Sequence, residues 1–432
     1  MKFASTRDNR VSVDLSSALM AGLAADGGLY VPRELPNFTA QDFAADESLA
    51  AIATRLLQPF FADDPLADEL AAICAQAFDF AAPMKALPTE QTWLLELFHG
   101  PTAAFKDFGA RFLAACMQRL QASNPVPLTI LVATSGDTGA AVAAAFHGLP
   151  NLRVVVLYPD GRVSPRQAHQ LGCFGDNIHT FRVAGSFDDC QRLVKQALSD
   201  RGLQDRVPLS SANSISLGRL LPQMAYYAHA SIGHWRRTDR SLNFVIPTGN
   251  LGNALAAILA RACGLPIGDI ALATNANRVL PGFFAGSDYT PLPSVATLAN
   301  AMDVGAPSNF ERLRWLYPDA AELRKAFKVR AVDDPAIRAT ILSGAQYLGE
   351  VFCPHTACAV RVLEELRAEG AAGDWAIVAT AHPAKFEQIV EPLIGHPVPP
   401  PAALAELLAR PAHAQALAAD YADLVDALAR IE

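Results

Sequence analysis

Residues 128–148 read LTILVATSGDTGAAVAAAFHG, and the succession of residue types in them sets the fold class. LTILVA is nearly continuous apolar sequence, without the alternation that marks a strand with one wet face. A strand covered on both faces belongs to a parallel sheet sandwiched between helices. SGDTG then supplies a turn, and the alanine-rich run that follows is helix-prone.

The same grammar recurs outward from there. LRVVVLYP (152–159) predicts a strand and SPRQAHQLG (164–172) a helix, with Ser164 placed to cap it and Pro165 at its first position. IHTFRVAG (178–185) precedes SFDDCQRLVKQALSD (186–200), where Ser186 and Asp189 have capping-box spacing. LNFVIPTG (242–249), NLGNALAAILARACG (250–264) and DIALATN (269–275) repeat the pattern. DWAIVATAHP (374–383) with AKFEQIVEPL (384–393) closes it. Between these, 308–371 reads as mainly helical, with a clear start in DDPAIRATILSGA. Residues 400–432 read as alanine- and leucine-rich helix interrupted at Pro411. Residues 1 to about 92 read as a separate, largely helical front piece: a helix, an Asp-Gly-Gly turn and a short strand in 13–35, a helix starting at Asp42, and another near Asp68. Two α/β units behind a smaller helical one is the expected architecture.

Bulk properties exclude several classes. At 432 residues the chain needs two or three cores, and 51% apolar against 18% charged residues argues against disorder. A net charge of −8 with no basic stripe gives no footing for nucleic acid. No run suits a membrane span, and the mixed charges of MKFASTRDNRVSVDLSS do not form a signal peptide, so a cytoplasmic protein is expected. Seven scattered cysteines suggest reduced, buried thiols. Cys353 and Cys358 bracket His355 but lack a second ligand cluster, so no metal site is expected.

Three short stretches carry chemistry. In HGPTAAFKDFGARF (99–112), Lys106 follows the apolar Ala103-Ala104-Phe105 and is itself followed by Asp107, with a Phe-Gly pair just beyond. A buried amine loses part of its proton and can attack a carbonyl, so a Schiff base to an aldehyde cofactor would explain it; a stem-covered lysine with a wet tip is the plainer reading. TSGDTG (134–139) sets Ser135, Asp137 and Thr138 beside the free amides of a helix start. TGNLGNA (248–254) sets Gly249 and Gly252 in a compact amide-lined loop, either a phosphate nest or a simple capped turn. Two further polar strings, SSANSISLGR (210–219) and CPHTA (353–357), place Asn213, Ser214 and Thr356 as candidates for a polar ligand. His355 and His382 read more readily as hydrogen-bonded histidines than as general bases.

Taken together, DGGLYVP, FHGPTAAFKDFG, TSGDTG, YPDGRVSPRQ, SANSI, PTGNLGN, ATNAN, SNFERL, PHTA and ATAHPAKF run almost end to end, and the chain resembles the threonine synthase family. That family shares the tryptophan-synthase β-subunit fold. The resemblance implies a fold type II pyridoxal-phosphate enzyme: an α/β protein with two parallel-sheet domains, a large one at 93–128 and 221–432 and a small one at 129–220, behind a mainly helical N-terminal domain at 1–92. Lys106 would be the Schiff-base lysine for pyridoxal 5'-phosphate. Gly249, Asn250, Leu251, Gly252 and Asn253 would hold the cofactor phosphate, Asp137 would lie near its 3-hydroxyl, and Thr356 near its ring nitrogen. Ser135, Thr138, Asn213 and Ser214 would contact substrate. The phosphate leaving the substrate needs other donors, for which Lys106, Ser135, Thr138, Arg111 and Arg162 are the candidates. The implied reaction takes O-phospho-L-homoserine and water to L-threonine and phosphate by γ-elimination and β-hydration, in a monomer or homodimer. A lyase of the same fold giving a 2-oxo acid, and a non-catalytic phosphate-binding module, are the alternatives.

Overall fold

The computed structural model describes residues 1–44 and 47–431. Two sheets organise it. The larger has six strands in the order Lys328–Ala331, Ile267–Thr274, Leu242–Pro247, Trp375–Ala379, Thr92–Glu96, Met84–Ala86; all neighbours are parallel except the last pair. The smaller has five parallel strands in the order Gln415–Ala418, Ile178–Ala184, Leu152–Pro159, Leu128–Ala133, Leu209–Ser211.

The apolar run at 128–133 is buried at every position, as its lack of alternation requires. Its two faces enter different cores. Leu131 and Ala133 join Val155, Leu157 and the helix Phe187–Ser199, whereas Ile130 and Val132 join the core under the helix Lys106–Gln121. Ser164 caps the helix Pro165–Gly172, and Ser186 with Asp189 forms a capping box on the helix Phe187–Ser199, as their spacing predicts.

At the N-terminus, strands Phe3–Ser5 and Tyr30–Pro32 pair antiparallel, and the helices Leu15–Ala21, Leu49–Leu57 and Leu70–Ala77 pack on the rest of the chain. Phe61 and Phe78 meet Phe112, and Phe78 also meets Phe108, so this region shares one apolar cluster with the helix that begins at Lys106.

Three expectations need correction. The helix expected from Asp42 starts instead at Leu49, because Ser48 accepts the Ala51 N–H while Asp42 closes a short 3-10 turn under Thr39. Lys328–Ala331 is an edge strand inside the stretch read as helical. In the C-terminal stretch Pro411 ends one helix, and Gln415–Ala418 is a strand beside Ile178–Ala184. The chain end therefore joins the sheet of the 129–220 unit, not that of 221–432. No described helix is long and apolar enough to cross a membrane.

Candidate active site

A cavity lies where the carboxyl ends of the strands in both sheets converge, the usual ligand position in open parallel sheets. Its wall takes Ala133 to Ser135, Asp137 and Thr138 from one turn, Pro247 to Ala254 from another, and Thr380 after a third strand. Lys106, Asn213, Ser214, Arg219, Met302 and His355 are among the other residues that line it. It holds about 860 Å³ of empty space counted out through its open mouth.

Lys106 is the first residue of its helix, and the loop before it is tied down. Phe105 N–H donates to Thr380 O (2.8 Å), His382 N–H donates to Ala103 O (3.0 Å), and Ala103 adopts a left-handed backbone at φ 56°. Protein surrounds the amine except where it meets the cavity. Burial therefore lowers its pKa to about 8, against the attraction of Asp137 and with help from Arg219 and Lys385. The Phe-Gly pair that follows has separate reasons. Phe108 packs against Phe80 and Tyr226, while a Cβ on Gly109 would come within 2.7 Å of Arg219 O.

Asp137 begins the next helix and is fully enclosed. Lys385 Nζ lies 2.9 Å from its Oδ1 and also donates to Thr102 O (2.7 Å); Gln167 Nε2 donates to the same carboxylate oxygen (3.0 Å). Burial opposes charge on Asp137, but Lys385, then Lys106, His355 and Gln167 outweigh it and hold the carboxyl well below the usual range. Burial pushes His355 down to about 4, so its ring is neutral, and Nε2 accepts the Ala301 N–H (3.1 Å).

The turn at 248–254 leaves backbone donors free at a helix start. Leu251 is left-handed at φ 64°, and the helix Gly252–Ala262 starts immediately after it, so free amides face the cavity. Gly249 is required because a Cβ there would meet Met302 Cα at 2.7 Å. Tyr226 and Tyr227 hydroxyls both donate to Asn253 Oδ1 (2.6 and 2.9 Å), leaving buried Asn253 Nδ2 with no hydrogen-bond partner. Arg219 Nε is likewise buried without a partner, although Nη1 donates to Ala212 O (2.6 Å). Unsatisfied buried donors at a cavity wall call for an acceptor. A phosphorylated aldehyde fits this wall: a partly neutral amine, an ionised carboxylate, and a helix start with a spare amide donor.

The structure thus brings Lys106, Ser135, Asp137, Thr138, Asn213, Ser214 and Gly249 to Asn253 to one cavity. Asn213 is occupied, exchanging two hydrogen bonds with Ala133 (2.7 and 3.2 Å), and Ser214 Oγ accepts from Asn250 Nδ2 (2.6 Å). Thr356 is not on the wall; its hydroxyl lies 3.2 Å from Cys353 Sγ, whereas Thr380 does face the cavity. Arg111 and Arg162 are also off the wall, Arg111 being held by Asp79 (2.6 Å). Sequence reasoning missed Lys385, Gln167, Arg219 and Thr380. For Lys385 a signal existed, because PAKF sets a lysine directly against alanine and phenylalanine, and Lys106 likewise adjoins an apolar stretch, AAF. No group of three metal-ligating side chains occurs among the described residues.

Comparison with known proteins agrees along the whole chain. Residues 80–383 match the family of pyridoxal-phosphate dependent enzymes, residues 2–78 the threonine synthase N terminus, and residues 356–428 the threonine synthase C-terminal family. The threonine synthase of Serratia marcescens is 41% identical over 426 residues, covering 98% of each chain. The crystal structure of threonine synthase from Escherichia coli superposes with a TM-score of 0.93 at 38% identity, covering 100% of both chains. That of pyridoxal-phosphate-bound threonine synthase from Brucella melitensis superposes at 0.89 with 34% identity, covering 100% of this chain and 99% of that one.

Proposed function

This chain belongs to the threonine synthase family of pyridoxal-phosphate enzymes, and from that premise we propose how its own side chains share the reaction. The protein is a pyridoxal-phosphate-dependent lyase that takes O-phospho-L-homoserine and water to L-threonine and phosphate, the last step of threonine biosynthesis. When bound, pyridoxal phosphate supplies an electron-poor ring that stabilises negative charge developing on substrate carbon.

Lys106 Nζ is the group we assign to the cofactor's aldehyde carbon. Once the substrate amine has taken its place, the same nitrogen moves the proton at the substrate's Cα. An amine titrating near 8 is partly neutral at physiological pH, so it can take that proton and give it back. Asp137, kept ionised by Lys385, serves the side of the ring that bears the 3-hydroxyl. The amides of the 249–253 turn, with Asn253 Nδ2, take the cofactor phosphate. Two threonine hydroxyls compete for the ring nitrogen: Thr380 on the wall, and Thr356 just behind it.

The phosphate that leaves the substrate needs donors of its own. We assign it to Arg219, whose Nε is unpaired, with the hydroxyls of Ser135, Thr138 and Ser214 beside it. Asn213 contributes by holding the end of the strand at Ala133. Lys106 and Lys385 both act on the Asp137 carboxylate, and Arg219 lies on the same wall close enough to bear on Lys106, a gathering of cations that suits a site handling two phosphates. All seven cysteines are buried and unpaired, which accords with a reducing compartment, and we place the enzyme in the cytoplasm.

The observation that carries this reading is the depressed amine of Lys106 facing a cavity between two strand-to-helix turns. Incubation with O-phospho-L-homoserine tests it: threonine and phosphate in equal amounts are expected, and 2-oxobutanoate as the main product would overturn it.

A further inference from the structure

The phosphate nest contains a feature that its own residues do not explain. Leu251 is neither glycine nor asparagine, yet its backbone is left-handed at φ 64° with its side chain buried, so surrounding groups must hold it there. The peptide that joins it to Asn250 is gripped from one side. Asn309 Nδ2 donates to Asn250 O (3.1 Å) and to Ser214 O (3.2 Å), bridging the nest to the neighbouring turn. Asn250's own side chain is fixed at both ends, donating to Ser214 Oγ (2.6 Å) and accepting the Ser308 N–H (2.5 Å). Asn309 also lies directly under the nest, since a Cβ on Gly252 would come within 3.7 Å of its Nδ2.

The amide of Asn309 has no freedom to flip. Its Oδ1 accepts from Arg312 Nη1 (2.9 Å), and a guanidinium only donates, so the NH2 group must face the two carbonyls. Arg312 in turn is anchored by carbonyls alone: Nε to Tyr30 O (2.9 Å) and Nη2 to Ile215 O (2.6 Å). It is buried, and the adjacent Glu311 is occupied by Arg7 (3.0 Å). Burial lowers the Arg312 pKa to about 9, opposed by Glu311, and at neutral pH the group stays charged. A positive charge that no carboxylate contacts among the described residues therefore lies one side chain behind the nest. Tyr30 belongs to the N-terminal strand Tyr30–Pro32, so this contact ties the N-terminal region to the same loop.

We infer that Asn309, locked in orientation by Arg312, is a positioning residue for phosphate: it holds the Asn250–Leu251 peptide so that the amides at the start of the Gly252–Ala262 helix point at the cofactor's anionic end. The inference rests on the assignment of the 249–253 turn to the cofactor phosphate. It also gives the N-terminal region a part in cofactor affinity, through Tyr30 O and Arg312.

The test compares pyridoxal phosphate with pyridoxal, which has the aldehyde and the ring but no phosphate. Stripped full-length protein is titrated with each, and binding is followed by the absorbance of the bound aldehyde. For Asn309→Ala the Kd for pyridoxal phosphate should rise tenfold or more while that for pyridoxal stays within about twofold. A general loss of structure would weaken both alike, and that result, or no change in either, overturns the inference. Asn309→Asp guards against misfolding, because it keeps an oxygen toward Arg312 and turns a second acceptor onto the two carbonyls; the same selective loss is expected. Gly252→Asp puts a carboxylate into the nest itself and should also lose the preference for the phosphorylated form. If it does so while both Asn309 variants keep that preference, the Asn309 role alone is wrong. If Gly252→Asp keeps it too, the nest assignment falls and takes the inference with it.

Discussion

Lys385 Nζ lies 2.9 Å from Asp137 Oδ1, with both side chains sealed from solvent, although the two residues are 248 positions apart and follow strands of different sheets. The pair does more than join two parts of the chain. It keeps a carboxylate ionised beside Lys106 against the burial that opposes its charge.

Breaking that pair from one side leaves Asp137 enclosed with weaker support. Lys385→Met is expected to cost about 3–5 kcal/mol, the usual penalty for stranding a buried charge. Adding Asp137→Asn removes the stranded charge and should recover much of the loss. Urea denaturation of the two single variants and the double variant measures this, and a strictly additive double variant would refute the pairing.

Lys106 carries a pH signature. Its neutral form is the nucleophile, so capture of the aldehyde by stripped protein should speed up about tenfold per pH unit below 8 and level off above. Asp137 raises the Lys106 pKa, so Asp137→Asn should move the midpoint downward. Stopped-flow absorbance across pH 6–10 reads both, and a midpoint at the ordinary lysine value would contradict the enclosed amine.

The same displacement has a stability consequence. Folding lowers the Lys106 pKa, so below about 8 the folded state bears a cost that fades as pH rises from there toward the ordinary value. Lys106→Met should abolish turnover, and it should also abolish borohydride labelling of the peptide spanning 99–112. The fold should be kept, or even stabilised, by about 1.4 kcal/mol for each pH unit the amine is displaced. The gain should be greatest below pH 8. Thermal melts at pH 6.5 and 9.5 give the comparison, and destabilisation at both would show that the amine is a structural support.

The strand-to-helix turns were legible because their signals are local. Continuous apolar runs, glycines at Gly136, Gly249 and Gly252, and the capping residues Ser164 and Ser186 all act within a few positions of where they stand. Lys385, Gln167 and Arg219 were not legible, because a buried polar side chain is defined by partners that only the fold supplies. Gln167, for example, closes the capping box of its own helix, and only the fold brings Asp137 to 3.0 Å as its second partner. The strand Gln415–Ala418 was lost for a similar reason. Four residues of QALA carry no strand propensity of their own, and pairing with Ile178–Ala184 decides their state. Asp42 is committed to the 3-10 turn under Thr39, and the cap of the following helix falls to Ser48, where the apolar spacing begins.

The ring-nitrogen partner is separable by two conservative substitutions. Thr380→Val removes a hydroxyl from the wall, and Thr356→Val removes one that now faces Cys353 Sγ at 3.2 Å. The variant that touches the ring should shift the absorbance of the bound cofactor and change the ratio of threonine to 2-oxobutanoate. The other should change melting temperature only. If neither alters the product ratio, a hydroxyl at the ring nitrogen does not govern partitioning.

Gly109 makes the tightest prediction, because it connects the opening turn of the Lys106 helix to the cation assigned to the substrate phosphate. A methyl group at this position would sit 2.7 Å from Arg219 O and 3.2 Å from both its Cα and its Nε. The helix backbone cannot retreat, since Phe108 is wedged between Phe80 and Tyr226, so Arg219 must move. Gly109→Ala should therefore cost about 1–3 kcal/mol as overpacking, despite alanine's better helix propensity. It should also raise KM for O-phospho-L-homoserine by tenfold or more while leaving the Kd of pyridoxal phosphate nearly unchanged, because the cofactor nest lies on a different turn. Arg219→Lys should show the same KM defect without the loss of stability from overpacking. Steady-state kinetics with a parallel cofactor titration distinguishes the outcomes. Equal losses in substrate and cofactor affinity would mean that Arg219 supports the whole cavity and does not serve the leaving phosphate in particular.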